Sequence, residues 1–259
     1  MKLLYPGLNE KYSLHNHSEL SDGSSSLETL CRAGKAAGLK VFGVSDHWVI
    51  PPCDGTDADT WAMAPARLDE YVETLLALKK VLDDDNFTLK LGLEVDFFFE
   101  NIDDVLKHLS AYPLDYLIGS VHYAGTFPVD HLIDEWLPLS PAEKDEICEI
   151  YWQKLAGAAQ REEFCFLGHL DLPKKFGQID NSRYFDHAVK VLDILADNGG
   201  AIELNTAGYF KECGEPYPST AILQAAADRN IPLAISADAH CPEHVTRNFA
   251  QAAPLGGLR

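Results

Sequence analysis

His15-x-His17 carries two imidazoles at a spacing that turns both to one face of an extended chain, where they can grip a single metal ion. Asp238-x-His240 repeats that spacing late in the sequence. Between them stand Asp22, Asp46-His47, Glu94, His122, His169 and Asn205, each following a short apolar run. Imidazole and carboxylate donors without cysteine suit zinc, manganese or iron and do not make the thiolate cage of a structural zinc. The eight residues His15, His17, His47, Glu94, His122, His169, Asp238 and His240 exceed what one catalytic ion needs, so two or three divalent ions are implied, with Glu94 a natural bridge. Asp46 and His47 are adjacent and point to opposite faces of a strand. His47 is the expected ligand, and Asp46 is expected to orient a neighbouring imidazole from behind.

The elements that must position these residues alternate along the chain. Short apolar runs near 12–14, 41–45, 89–93, 116–121, 164–168, 201–204 and 233–236 read as strands, separated by stretches with helical spacing. Seven such units suggest an α/β barrel. In parallel α/β architectures the carboxyl ends of the strands face one side, so ligands distant in sequence converge. Six of the ten histidines fall at those ends. A lone strand-end histidine is more often an ordinary hydrogen-bonded residue, but ligand types closing nearly every strand are hard to attribute to core packing. His108, His131, His187 and His244 close no strand and are expected to be ordinary.

Helices are predicted from a serine cap among Ser24, Ser25 and Ser26 through Leu30 to Gly38, from Pro65 through Leu82, from Pro141 through Leu155, across Leu192 and Leu195, and over 221–227. Residues 51–57 read as a loop or lid, and 124–138 as a second loop-rich region. No linker or internal repeat divides the chain, so 1–259 is expected to be one domain.

Composition narrows the partners. A formal charge of −19 disfavours nucleic acid and anionic membranes, which bind basic surface. An anionic substrate remains compatible with it if bound metals dominate the local field. The apolar run within Met1–Pro6 is too short for a signal peptide, and no stretch reaches the roughly 18 apolar residues of a membrane span, which predicts a cytoplasmic protein. Six scattered cysteines form no C-x-x-C pair and are expected to be reduced.

Closely spaced metal ions suit phosphate chemistry, because they share a hydroxide nucleophile and clamp the phosphoryl group during displacement. Phosphate monoester hydrolysis needs acceleration of up to about 10^21-fold, far beyond what a positioned general base supplies. The chain has no phosphate-binding loop, nucleophile elbow or dinucleotide fingerprint.

The set His15-x-His17, Ser45-Asp46-His47, Gly92-Leu93-Glu94, Gly119-Ser120-Val121-His122, Gly168-His169-Leu170-Asp171 and Ser236-Ala237-Asp238-Ala239-His240 resembles the PHP (polymerase and histidinol phosphatase) family. Glu203-Leu204-Asn205-Thr206-Ala207-Gly208 and the segment from Gly168 to Gly177 look most like its histidinol-phosphatase branch. The resemblance implies a distorted seven-stranded, TIM-like (β/α)7 barrel with up to three metals. One ion would take His15, His17, Glu94 and Asp238. A second would take His47, His240 and Asp22, or Glu19 in its place, and a third Glu94, His122 and His169. Relatives often carry a phosphate-gripping arginine just after the Asn-Thr-x-Gly segment, where this chain has Tyr209-Phe210-Lys211. Lys175 or Lys211 could substitute, and Asn205 is a further substrate-binding candidate.

The expected activity is hydrolysis of L-histidinol phosphate to L-histidinol and phosphate, a step of histidine biosynthesis, with a metal-bridging hydroxide as nucleophile and Asp238, His240 and Glu94 as the catalytic candidates. Trp48, Tyr123 and Phe127 could line the pocket. The alternatives are a PHP phosphoesterase for another small phosphate or nucleotide, an amidohydrolase-type C–N hydrolase, which shares H-x-H and a late aspartate, and a non-catalytic metal-binding module.

Overall fold

The structure, a computed structural model, describes residues 11–257, so the opening segment Met1–Pro6 lies outside the described residues. In chain order the elements are β1 (Tyr12–Ser13), α1 (Leu27–Ala36), β2 (Val41–Val44), β3 (His47–Trp48), α2 (Leu68–Leu82), β4 (Thr88–Asp96), α3 (Ile102–Leu109), β5 (Tyr116–Ser120), β6 (Tyr123–Ala124) and β7 (Phe127–Pro128). They continue with α4 (Ile133–Trp136), α5 (Pro141–Ala159), β8 (Phe166–Leu167), α6 (Phe185–Asn198), β9 (Ile202–Asn205), α7 (Thr220–Asp228), β10 (Leu233–Ser236) and α8 (Phe249–Ala252).

The sheet runs β1-β2-β4-β5-β8-β9-β10, every neighbouring pair parallel. β3 continues β2 as one stave, since Val41 pairs with Thr88 and His47 with Glu94 in unbroken register. An isolated parallel bridge between Asn16 and Ala239, with the His17 amide donating to the Ala239 carbonyl at 2.8 Å, brings the end of β1 beside the end of β10. The result is a near-closed, TIM-like barrel of seven staves with helices between them, as the alternation predicts.

Local chemistry explains the pieces that carry the site. Ser26 caps α1, its hydroxyl accepting from the Thr29 amide, and Ser140 with Glu143 forms a capping box ahead of Pro141 in α5. Leu14, Val41, Tyr116, Ile118, Phe166 and Ala201, all from strands or their ends, form an apolar cluster of their own. Tyr116 crosses Gly43 and Gly92, where an added Cβ would lie 2.2 Å from its hydroxyl and ring, and donates to the Leu14 carbonyl at 2.5 Å. Apolar filling at this level confines polar side chains to the carboxyl ends of the strands.

Residues 124–138 are loop-rich as expected, with the short antiparallel hairpin of β6 and β7 and then α4 set into them. Two other details differ. Pro65 opens a 3-10 turn, and α2 proper begins at Leu68. Helix α3 was not anticipated, although Ile102, Val105, Leu106 and Leu109 recur at helical spacing and are all buried.

Candidate metal centre

The carboxyl ends of the staves bring together all nine residues expected to bind metal. Glu94 on β4 lies at the centre. Its Oε2 is 3.0 Å from His15 Nε2 and 2.8 Å from His47 Nδ1, and its Oε1 is 2.8 Å from His169 Nε2 and 3.7 Å from His122 Nε2. Asp238 Oδ1 lies 3.1 Å from His17 Nε2 and 3.6 Å from His15 Nε2. Asp22 approaches His240 Nε2 at 3.1 Å and His47 Nε2 at 3.5 Å, whereas Glu19 is exposed on the neighbouring loop.

These donors fall into overlapping groups able to hold an ion: His17, Asp22, His47 and His240; His15, Glu94 and His169; His15, His17 and Asp238; and His47, Glu94 and His122. The groups keep His15, His17 and Asp238 together, and Asp22, His47 and His240 together, as in the sets implied by the resemblance. His17 leans towards His240, their rings stacked at 4.5 Å, and His15 and His169 share one oxygen-rich corner.

The donor set fits divalent cations on the evidence of its unmade bonds. His15 Nε2, both nitrogens of His17, His47 Nδ1, Glu94 Oε2, His169 Nδ1 and Asp238 Oδ1 are buried without a well-formed hydrogen bond. Orphaned polar atoms on this scale are costly unless something coordinates them.

Electrostatics in the metal-free cluster show the same frustration. Burial disfavours charge on His15, yet Glu203, Glu94 and Asp238 outweigh it and hold the imidazole well above its usual range. Burial, with repulsion from His47 and His240, pushes His17 down to about 3. Burial opposes ionisation of Glu94, but His15, His47 and His122 reverse the balance and hold it well below the carboxylate range.

A further shell orients the imidazoles, and most of it went unforeseen. Glu203 on β9 accepts from His15 Nδ1 at 2.7 Å and from the His169 amide at 2.8 Å, so His15 presents Nε2 to the cluster. Asp96 accepts from His122 Nδ1 at 2.5 Å, and Ser120 donates to Glu94 at 2.6 Å. Period two was the available signal, since Asp96 follows Glu94, and Glu203 precedes Asn205, by two residues on one strand face.

Asp46 has a different task from the one expected. It orients no imidazole. Its carboxylate accepts from the Ser18 amide and hydroxyl, both at 2.6 Å, and from the Ser21 hydroxyl at 2.5 Å, so it fixes the loop that delivers Asp22. Gly23 completes that loop, where a Cβ would meet the His17 carbonyl oxygen at 2.2 Å.

Above the cluster opens a cavity of about 500 Å³, a volume suited to a small molecule. Asp22, His47, His122, His169, Asp238 and His240 line it, while His15, His17 and Glu94 lie beneath. Lys175 and Lys211 line it as well, although Lys175 Nζ is engaged by the Asp130 carbonyl and carboxylate. Asn205 does not line it: its amide nitrogen bonds Glu203 at 3.0 Å and Asp238 at 3.2 Å, and its oxygen accepts from the Ala207 amide. Tyr123 reaches the cavity, but Trp48 packs beside His108 and Phe127 against Trp136. Trp61 supplies the aromatic wall instead, with its ring edge-on to His47 at 4.7 Å. His131 and His244, expected to be ordinary, also line the cavity, whereas His187 pairs with Glu149 away from it.

The PHP domain matches residues 13–207. A Deinococcus radiodurans protein named "Probable histidinol-phosphatase" is 36% identical over 226 residues, covering 85% of this chain and 82% of its own. Among solved structures, a hisK protein from Listeria monocytogenes shares the fold at a TM-score of 0.83 and 20% identity, over 93% of this chain and 99% of its own. The histidinol phosphate phosphatase of Lactococcus lactis, solved with zinc, L-histidinol and phosphate, shares it at 0.77 and 20% identity, over 96% of this chain and 93% of its own. The matched span includes the candidate ligands from His15 to His169, and Asp238 and His240 join them from the segment after β10, across the barrel seam; the chain belongs to the PHP domain family.

Proposed function

We propose that this protein is a metal-dependent phosphomonoesterase that hydrolyses L-histidinol phosphate to L-histidinol and phosphate in histidine biosynthesis, and that residues 1–259 form a single PHP-type unit. The observation that carries the phosphatase reading is the cluster of orphaned imidazole and carboxylate atoms at the base of a small cavity whose wall includes Lys211. The choice of substrate leans on the Deinococcus relative's name and its identity across most of both chains.

Under this reading His15, His17, Asp22, His47, Glu94, His122, His169, Asp238 and His240 hold two or three zinc, manganese or iron ions. Bound there, divalent ions supply charge neutralisation for phosphoryl oxygens and acidify water. Glu94, buried beneath the cavity, would hold metal and gives the substrate no proton. Asp238 and His240 line the cavity and would hold an ion beside the phosphate; as ligands they carry no spare proton, so the departing histidinol oxygen takes its proton from water when the P–O bond breaks. Trp61 and Tyr123 form an aromatic wall on which the substrate imidazole can pack.

No helix among the described residues is long and apolar enough to cross a membrane, and the proposed location is the cytoplasm. The acidic charge favours a small-molecule substrate over nucleic acid.

The test is hydrolysis by purified, metal-loaded protein of L-histidinol phosphate beside nucleotides, sugar phosphates and a set of amides. Highest kcat/KM on histidinol phosphate is expected. Faster cleavage of another monoester would move the substrate assignment, and turnover of amides alone would overturn the phosphatase reading.

A further inference from the structure

Among the described residues, Arg32, Arg67, Arg161, Arg183 and Arg229 each meet a carboxylate, on Glu28, Glu70, Asp103, Asp145 and Asp193 respectively. Arg247 makes no ion pair with any described residue, although acidic residues outnumber basic ones by 40 to 21 in the chain. It lines the cavity above the metal centre. Among the described residues its Nε is buried without a hydrogen bond, and its guanidinium makes one hydrogen-bonding contact, Nη1 to His244 Nε2 at 3.3 Å. Its position is nonetheless fixed. The guanidinium carbon lies 3.8 Å from the centre of the Phe210 ring, and Thr206 donates its hydroxyl to the Arg247 carbonyl at 2.6 Å, tying this loop to the end of β9.

We infer that Arg247 binds the phosphate group of the substrate, gripping oxygens that face away from the metal centre. The inference rests on the phosphatase reading but not on which alcohol the phosphate is attached to. A guanidinium offers paired donors matched to phosphate oxygens, and an unpaired one held at a cavity wall is ready for an anion from solution. Lys211, the other cavity lysine, also has no carboxylate partner among the described residues, whereas Lys175 is bound to Asp130. Arg247 and Lys211 therefore face the phosphate together. The geometry also gives Phe210 a purpose: it is an aromatic platform that holds an arginine arriving from a later loop.

Calorimetric binding of inorganic phosphate to the zinc-loaded protein tests this without any dependence on the leaving group. Arg247→Met keeps the stem over Phe210 and removes the donors. It is expected to weaken phosphate by about 10- to 100-fold, in line with the loss of charge-assisted hydrogen bonds, with zinc content and L-histidinol affinity unchanged. Arg247→Lys should recover only part of the loss, because it restores charge without the fork. Phosphate affinity within about twofold of wild type in the Met variant would overturn the inference. So would full recovery in the Lys variant, or a loss of zinc or histidinol affinity that matches the loss of phosphate. If the wild type binds phosphate and cleaves a different monoester, the substrate assignment fails while Arg247 keeps its place.

Discussion

Glu203→Gln changes one atom of a side chain with no contact to the cavity, and the structure predicts a large effect. Four donors converge on the two carboxylate oxygens: His15 Nδ1 and the Ser236 hydroxyl on Oε1, and the His169 amide at 2.8 Å and Asn205 Nδ2 at 3.0 Å on Oε2. Only a carboxylate can accept from all four. Glutamine must turn its NH2 towards one pair. Asn205 cannot flip to compensate, because its oxygen already accepts from the Ala207 amide, so the NH2 turns towards Ser236 and His15. The Ser236 hydroxyl can turn to accept, but His15 Nδ1 accepts only by moving its proton to Nε2, the nitrogen that faces the cluster. Loss of one hydrogen bond to a charged group gives a destabilisation of about 1.5–3 kcal/mol. That is a sizeable share of the roughly 5–15 kcal/mol that holds a domain folded. Urea unfolding of the metal-free variant and wild type reads the first effect, and zinc titration should show a further loss of about 10- to 100-fold in affinity. Stability within about 1 kcal/mol of wild type, with zinc binding intact, would refute the assigned role of Glu203.

Other perturbations test other parts of the site. In the metal-free protein, burial opposes charge on His15, His47, His122, His169 and His240, but adjacent carboxylates raise all five above the usual imidazole value. Their contribution to stability is therefore fully present below about pH 6.5 and is lost as pH rises through the raised values. Metal needs them neutral, so zinc added at pH 7 should release protons and bind more tightly as pH rises; calorimetry in buffers of different ionisation enthalpy checks this, and zero release would contradict it. Asp46→Asn should cost about 1–3 kcal/mol and reduce bound zinc through loss of the Asp22 loop, read by urea unfolding and elemental analysis. Gly92→Ala pushes a methyl into the Tyr116 ring and should lower stability by about 1–3 kcal/mol, read by urea unfolding; because Gly92 stands two residues before Glu94 and Tyr116 holds the Leu14 carbonyl beside His15, zinc affinity should fall as well.

The candidate metal ligands were legible because coordination restricts residue type and strands impose period two, so His15, His17 and Asp238 stand out without a structure. The groups behind them are ordinary acids and serines whose meaning depends on which imidazole lies across the sheet. Asp96 and Glu203 were reachable by period two, but Ser120 was not. Asp46 shows the limit of that rule, which turned its side chain away from His47 but could not foresee that the loop at 18–21 folds back to meet it. Trp61, His131, His244 and Arg247 enter from irregular segments, where no periodicity specifies direction and tertiary packing alone decides what reaches the cavity. The barrel was easier, since alternating apolar runs and helical stretches admit few topologies. Helix α3 escaped notice because Asp103, Asp104 and Lys107 dilute its apolar spacing.

The bridge between Asn16 and Ala239 has a consequence in time. His15 and His17 emerge from the ribosome more than 200 residues ahead of Asp238 and His240, an interval of about 10–45 s at ordinary rates of synthesis. For that interval the early ligands have no late partners, and the group of His17, Asp22, His47 and His240 cannot assemble. The groups of His15, Glu94 and His169 and of His47, Glu94 and His122 do not wait for β10, so only capture at the groups that include Asp238 or His240 is deferred until it docks. Once it docks, any ion held by His17 and His240 cross-links both sides of the seam, so that loading the site also rivets the barrel shut.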